Sequence, residues 1–250
     1  MNKLFLQLGD LEELESFDNE VFIGNDTVPQ EVCNLILSLA IIFNDYRDIL
    51  HINEIIMLKK PDGVFKISRV HGAYGGIQFH IIRELIRLTR ELIDLVSENK
   101  RVIESPYSRS IIQILKGKDR EAWDAIEDIA FGKLNKTKLG VFILQIRNQV
   151  SSHYSPKAIS KGYNHYFRSN GLINKRAYIS RGSSAYYTRY YFADAAIQGC
   201  FEQYLAVFEG DDYIKEAISL IGNLTTPLMA IINGFLVKRG CIFRKERDES

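Results

Sequence analysis

Arg147, Asn148, His153 and Tyr154 lie within about two turns at the end of an apolar helical segment. A histidine with its ordinary pKa of about 6.5 can accept or release a proton near neutral pH. An arginine guanidinium keeps its charge and can offer two parallel hydrogen bonds to a phosphate group. Arg147 and His153 are therefore candidates for phosphate binding and proton transfer.

This group continues directly into a basic segment that is rich in tyrosine. No Asp or Glu occurs from Ser151 to Ala193, whereas the same stretch carries seven Lys or Arg residues and eight Tyr residues. Cations neutralise phosphates and tyrosine rings stack on unpaired bases, so the segment predicts contact with single-stranded RNA. The candidate RNA-binding residues are Lys157, Lys161, Tyr163, Tyr166, Arg168, Lys175, Arg176, Arg181 and Arg189.

The same composition has a second interpretation. Tyrosine is common at protein interfaces, so the segment also fits a dimer contact. It also fits a docking surface for the acidic N-terminal segment 1–28, which carries seven acids and no Lys or Arg from Leu4 to Val28. The sequence leaves both alternatives open beside RNA.

The elements that position these residues are predicted to be helices, because apolar residues recur at spacings of three and four. The chain reads as an all-α bundle of about six to eight helices, treated as one domain over residues 1–250. The predicted helices are Pro29–Leu58 (as one helix or two), Ile77–Asn99, Ser105–Lys116, Asp119–Leu134 with Asp119 as N-cap, Thr137–Ser152, Tyr187–Glu209, and a last one ending near Lys238 that is kinked or restarted at Pro227.

The basic segment is predicted to interrupt this bundle as an insertion over about residues 155–186. Pro156 is expected to end the helix that carries the candidate pair. Asn170-Gly171 is typical of a type I′ turn, so a small β-hairpin is expected within the insertion.

Composition excludes several classes of protein. The 250 residues carry a net charge of only +1, and the three cysteines are widely spaced, which excludes a cysteine-built zinc site and favours a reducing compartment. The longest apolar run is too short to span a bilayer. We expect a soluble cytoplasmic protein with no cofactor, no metal and no membrane partner.

The run Ile146-Arg147-Asn148, followed after four residues by His153-Tyr154, resembles the R-x(4–6)-H signature of the HEPN superfamily. This resemblance covers about one helix and includes the polar residue after the arginine. It implies an all-helical, metal-independent endoribonuclease that acts as a homodimer, in the manner of toxin or antiphage defence components, with a protein antitoxin or regulator as partner. It also implies an alternative, because many relatives are non-catalytic RNA- or protein-binding modules.

The candidate residues suit RNA cleavage through the 2′-hydroxyl. His153 would take the proton from that hydroxyl or return one to the leaving oxygen, and Arg147 would stabilise charge on the phosphorus centre. Asn148 would orient the phosphate or the imidazole, and Tyr154 would add a hydrogen bond or stack on a base. An ideal helix holds Arg147 and His153 about 120° apart, so one alternative leaves them as a helix-terminal histidine and a solvated arginine.

His71-Gly72-Ala73-Tyr74-Gly75-Gly76 is glycine-rich before a helix but lacks the ending of a phosphate-binding P-loop, so a flexible helix start is the preferred interpretation.

His80, Arg83, Arg87 and Arg90 form a stripe that could extend an RNA track. A solvated helix face with acidic neighbours such as Glu84, Glu91 and Asp94 is the preferred interpretation of this stripe.

Overall fold

The computed structural model describes residues 15–62, 68–133, 138–146, 155–169, 176–181, 183–185, 188–206 and 221–245. These residues form a helical bundle, which confirms the predicted all-α class. The helices are α1 (Gln30–Met57), α2 (Arg69–Glu98), α3 (Lys100–Ile103), α4 (Pro106–Ile112), α5 (Gly117–Asp128), α6 (Lys138–Ile146), α7 (Pro156–Asn164), α8 (Tyr191–Ala206) and α9 (Thr225–Lys238). A 3-10 turn at Asn19–Phe22 precedes α1, and a π-helical turn at His165–Ser169 follows α7. After α5 the chain kinks within Ile129–Lys133, where the backbone dihedrals of Phe131 and Gly132 are not helical.

The core lies between the long helices α1 and α2 and the helices that cover them. α9 packs on α1, α4 and α5, while α6 and α8 pack on α2. One continuous buried cluster joins Tyr46 of α1, Leu92 of α2, Trp123 of α5, Ile143 of α6 and Phe235 of α9. Burial of this apolar surface is the main contribution to the stability of the bundle.

Two helix starts differ from the positions that the local pattern predicted. A helix was not expected to start at Pro156, yet this residue occupies the first turn of α7, where its missing N–H costs nothing. The Ser155 side chain caps this helix by accepting from the Ala158 N–H. The expected start of α5 at Asp119 was also wrong. The N-cap is Lys116, and Asp119 lies in the first turn.

The helix predicted from Ile77 begins eight residues earlier, at Arg69, with the Ser68 hydroxyl as its cap. The glycine-rich run is therefore part of a helix. Gly72 and Gly76 permit close approach, because an added Cβ would overlap the Tyr191 ring at Gly72 and the Arg189 guanidinium at Gly76. Close packing against Tyr191 and Arg189 therefore accounts for Gly72 and Gly76, and no bound phosphate is needed to explain them.

The predicted insertion is more helical than expected. Residues 156–169 form α7 and its π-helical turn, and Asn170-Gly171 lies outside the described residues. Further along, Ser180 pairs with Arg189 in an isolated antiparallel bridge.

α7 is held against α8 by a contact between backbones. An added Cβ on Gly199 would overlap the carbonyl group of Gly162, and one on Gly162 would lie 2.7 Å from the Cys200 amide nitrogen. The buried Cys200 thiol donates a hydrogen bond to the Ala158 carbonyl at 3.2 Å. Burial raises the pKa of this thiol. The absence of side chains at the crossing therefore sets the short separation of the two helices.

The two ends of the described chain are joined. Glu15–Ser16 (β1) pairs antiparallel with Arg244–Lys245 (β2). The Arg239 guanidinium donates to the carbonyls of Glu20, Val21 and Ile23. The described part of the acidic segment is thus attached to the C-terminal end of α9, a contact that the sequence did not predict. No helix among the described residues is both long enough and apolar enough to cross a membrane.

A buried polar cluster beside α5 provides a test of this packing. Both carboxylate oxygens of Glu127 accept from the Arg109 guanidinium at 2.9 Å, and the Trp123 indole N–H donates to Glu127 at 2.7 Å. Glu127→Ala leaves both donors without this acceptor and should lower the free energy of unfolding by about 3 kcal/mol. Thermal denaturation measures the effect, and Glu121→Ala on the exposed face of α5 is the matched control, expected to change little.

Candidate functional site

The four candidate catalytic residues, Arg147, Asn148, His153 and Tyr154, lie outside the described residues, so their assignment stays a prediction. The structure describes α6, the helix that leads to them. Phe142 and Ile143 of α6 are buried, and this helix packs on α2 and α8. The apolar seam predicted for the helix before Arg147 is confirmed at these two positions.

The cations that follow are described in large part. Lys157 and Lys161 on α7 and Arg168 in the turn after it are exposed, as are Arg176 and Arg181. Within the described part of the chain, none of these five side chains has a carboxylate partner. Lys175 lies outside the described residues. α7 and the residues that precede α8 therefore present positive charge that is available to an anionic ligand.

Arg189 has a different environment from the other candidate cations. Its Nε lies 2.8 Å from Asp194 Oδ2, its Nη2 lies 3.2 Å from Asp194 Oδ1, and the pair packs over Gly76. Asp194 is the first acid after the acid-free stretch, so the charge of Arg189 is compensated inside the fold. The sequence pattern gave no sign of this pairing.

The two candidate tyrosines lie in an aromatic cluster with Phe167. The Tyr163 and Tyr166 rings are centred 4.6 Å and 4.9 Å from the Phe167 ring. Burial and, to a smaller extent, the negative charge of Glu202 raise the pKa of Tyr166. Tyr166 therefore remains a neutral phenol at physiological pH, and it forms part of a wall rather than an exposed stacking platform.

That wall belongs to a cleft of about 740 Å³ between the first turns of α2, the π-helical turn after α7, residues 176–180 and the start of α8. The cleft is the size of a typical small-ligand site. Aromatic and basic side chains dominate its lining, together with three glycines of α2. The described lining residues are Ser68, Arg69, His71, Gly72, Gly75, Gly76, Phe79, Tyr166, Phe167, Arg176, Tyr178, Ile179, Ser180, Tyr191, Phe192, Asp194, Ala195 and Gln198.

Hydrogen bonds between distant parts of the sequence hold the cleft together. The Tyr191 hydroxyl donates to the Arg69 carbonyl at 2.7 Å, which ties the start of α8 to the start of α2. The Phe192 N–H donates to the Tyr178 carbonyl at 3.2 Å. Tyr178 and Phe192 consequently lie on adjacent backbone segments, and each is 39% exposed. Tyr178 is one of the eight tyrosines of the basic segment, but the sequence pattern singles out neither Tyr178 nor Phe192.

The stripe on α2 carries ion pairs along the helix, as its acidic neighbours suggested, but its three arginines are partly buried and do not form a fully solvated face. Arg87 Nε lies 2.8 Å from Glu84 Oε2, and Arg90 Nε lies 2.8 Å from Asp94 Oδ2. Arg83 contacts the His80 ring nitrogen at 3.3 Å. These ion pairs are spaced three and four residues apart, as expected on a helix surface.

Comparison with known proteins gives no assignment: the chain matches no family model, no curated protein and no solved structure. The resemblance to the HEPN superfamily therefore rests on the residues from Ile146 to Tyr154. Among the described residues, no group of three or more His, Cys, Asp or Glu side chains could hold a metal ion.

Proposed function

We propose that this protein binds single-stranded RNA and cleaves it without a metal ion, as a homodimer of the HEPN type. The observation that carries the proposal is the row of exposed cations on α7 and beyond, which have no carboxylate partner among the described residues. This row begins three residues after Tyr154, at Lys157. An RNA strand bound along α7 would therefore contact residues that closely follow Arg147 and His153 in the sequence.

The proposed chemistry uses only groups of this chain and of the RNA. The 2′-oxygen of one nucleotide attacks the adjacent phosphorus while a histidine takes the 2′-hydroxyl proton. The bond from phosphorus to the 5′-oxygen breaks, and a second proton is returned to that oxygen. Arg147 stabilises the charge on the phosphoryl oxygens. A homodimer would supply two copies of His153, one for each proton transfer.

The binding step is tested by removing the cations of α7. A triple variant with Lys157→Gln, Lys161→Gln and Arg168→Gln should bind a fluorescent single-stranded RNA about 100-fold more weakly at 0.1 M salt, because each lost phosphate contact removes about 0.7 from the slope of log affinity against log salt. Fluorescence anisotropy over a salt series measures both quantities. The slope itself should fall by about 2.

The matched control removes the same charge from another surface. Lys59, Lys60 and Lys118 are also exposed, and their joint replacement by Gln should leave the affinity and the slope close to those of the wild type. Equal weakening in both triple variants would mean that net charge alone drives binding. Unchanged binding in the α7 variant would contradict the proposed surface.

A second function is favoured by the cleft, which is described independently of the catalytic candidates. Exposed rings and arginines suit recognition of an unpaired nucleotide without any reaction. A non-catalytic RNA-binding module is therefore the alternative. A folded wild-type protein that binds RNA in the salt-dependent manner above, and leaves it intact, would establish this alternative.

A further inference from the structure

We propose that the cleft between α2, the turn after α7 and the start of α8 binds one nucleotide, with its base against the rings of Tyr178 and Phe192 and its phosphate at Arg69 and Arg176. This inference rests on the proposed function, because it identifies where an RNA strand inserts an unpaired base. The same chemistry would accept a free nucleoside monophosphate. The experiment below separates the two sources.

The rings of the cleft are suited to a base. Tyr178 and Phe192 are each 39% exposed and both line the cleft, so a planar ligand can reach them. The hydrogen bond from the Phe192 N–H to the Tyr178 carbonyl keeps the two residues adjacent before any ligand enters. Stacking on aromatic side chains accepts any base, because every base has an aromatic face.

The charges of the cleft are suited to a phosphate. Arg69, Arg176 and Asp194 line it, but Asp194 is already paired with Arg189. Among the described residues, neither Arg69 nor Arg176 has a carboxylate partner. The two guanidinium groups therefore leave an excess of positive charge at the cleft, in a form that binds phosphate oxygens through paired hydrogen bonds.

Gly75 leaves room for a ligand in the cleft. The neighbouring glycines of α2 are covered by Tyr191 and Arg189, whereas an added Cβ on Gly75 would meet no atom within 4 Å. Gly75 also lines the cleft, so a side chain at this position would extend into its open volume. Leucine or alanine should be accepted by the helix, since both have a higher helix propensity than glycine.

The test compares Gly75→Leu, which fills the cleft, with Gly222→Leu, which adds the same side chain at an exposed glycine that does not line the cleft and has no atom within 4 Å of an added Cβ. Calorimetric titration with AMP and with UMP should show binding to the wild type and to Gly222→Leu and a loss of at least tenfold in Gly75→Leu. With a single-stranded RNA, the loss in Gly75→Leu should be about tenfold, since one stacked base contributes about that factor. The salt slope set by the α7 cations should remain.

A second variant guards against an indirect effect of the leucine. Phe192→Ala should weaken AMP binding by about tenfold, whereas Phe243→Ala should not, although that ring is equally exposed at 40% and does not line the cleft. An RNA carrying one 4-thiouridine should cross-link to the peptide that contains Tyr178 or Phe192. These results together would support the site.

The outcomes separate the cleft from the function. RNA binding that is identical in wild type and Gly75→Leu, with cross-links only to α7, overturns the cleft and leaves the proposed function standing. AMP binding that is lost in Gly75→Leu, in a protein that binds no RNA, supports a site for a free nucleotide and overturns the proposed function. No binding of either ligand overturns both.

Discussion

Replacing His153 by alanine is expected to reduce the rate of RNA cleavage by about 100- to 10,000-fold, the usual contribution of a positioned acid–base group. Arg147→Ala should reduce it by about 100-fold or more, because a fixed cation at the reacting phosphate is lost. The measurement is the initial rate of fragment formation from a labelled single-stranded RNA in EDTA.

Controls of the same residue type are available on described, exposed positions. His80→Ala on α2 and Arg101→Ala in α3 remove a histidine and an arginine far from the candidate motif in sequence, and both should cleave at the wild-type rate. Each variant is checked for folding by thermal denaturation. Unchanged cleavage in His153→Ala and Arg147→Ala would show that the motif is not the catalytic group.

Gly199→Ala is expected to give the largest loss of stability, about 3 kcal/mol or more in the free energy of unfolding. The added methyl would meet the Gly162 carbonyl group, which belongs to a helix backbone and cannot rotate away like a side chain. Overfilling a packed interior typically costs about 1–3 kcal/mol, and a methyl group that clashes with a helix backbone lies at the upper end. For a chain of this length the melting temperature should fall by about 6–12 °C.

Gly75→Ala is the matched control for this substitution. It makes the same chemical change within a helix, but its new methyl group meets no atom within 4 Å. Alanine is the better helix former, so the free energy of unfolding should rise by about 0.5–1 kcal/mol. A Gly199→Ala protein as stable as the wild type would contradict the close crossing of α7 and α8.

The long apolar helices could be predicted from the sequence because their stripes repeat over many turns. α1 was expected at Pro29–Leu58 and occurs at Gln30–Met57. Boundaries set by single residues were missed where two local rules compete. Pro156 was expected to lead out of regular helix, but a serine before a proline is also a typical helix start, and Ser155 caps α7.

The cleft could not be predicted, because its walls are far apart in the sequence. The hydrogen bond between Tyr191 and Arg69 spans 122 residues, and the Arg189 guanidinium, paired with Asp194, lies over Gly76 of α2. Composition identified which cations were present. It could not separate Arg189, which is paired inside the fold, from Lys157 and Lys161, which are exposed.

The most direct test of the central claim is the chemistry of the RNA ends left by the wild-type protein in EDTA. Attack by the 2′-oxygen joins it to the adjacent phosphorus and expels the 5′-oxygen, so the account predicts fragments with 2′,3′-cyclic phosphate and 5′-hydroxyl ends. Mass spectrometry of the fragments distinguishes these ends from those made by attack of water. Intact RNA after incubation with the folded protein, or fragments with 5′-phosphate and 3′-hydroxyl ends, would contradict the account.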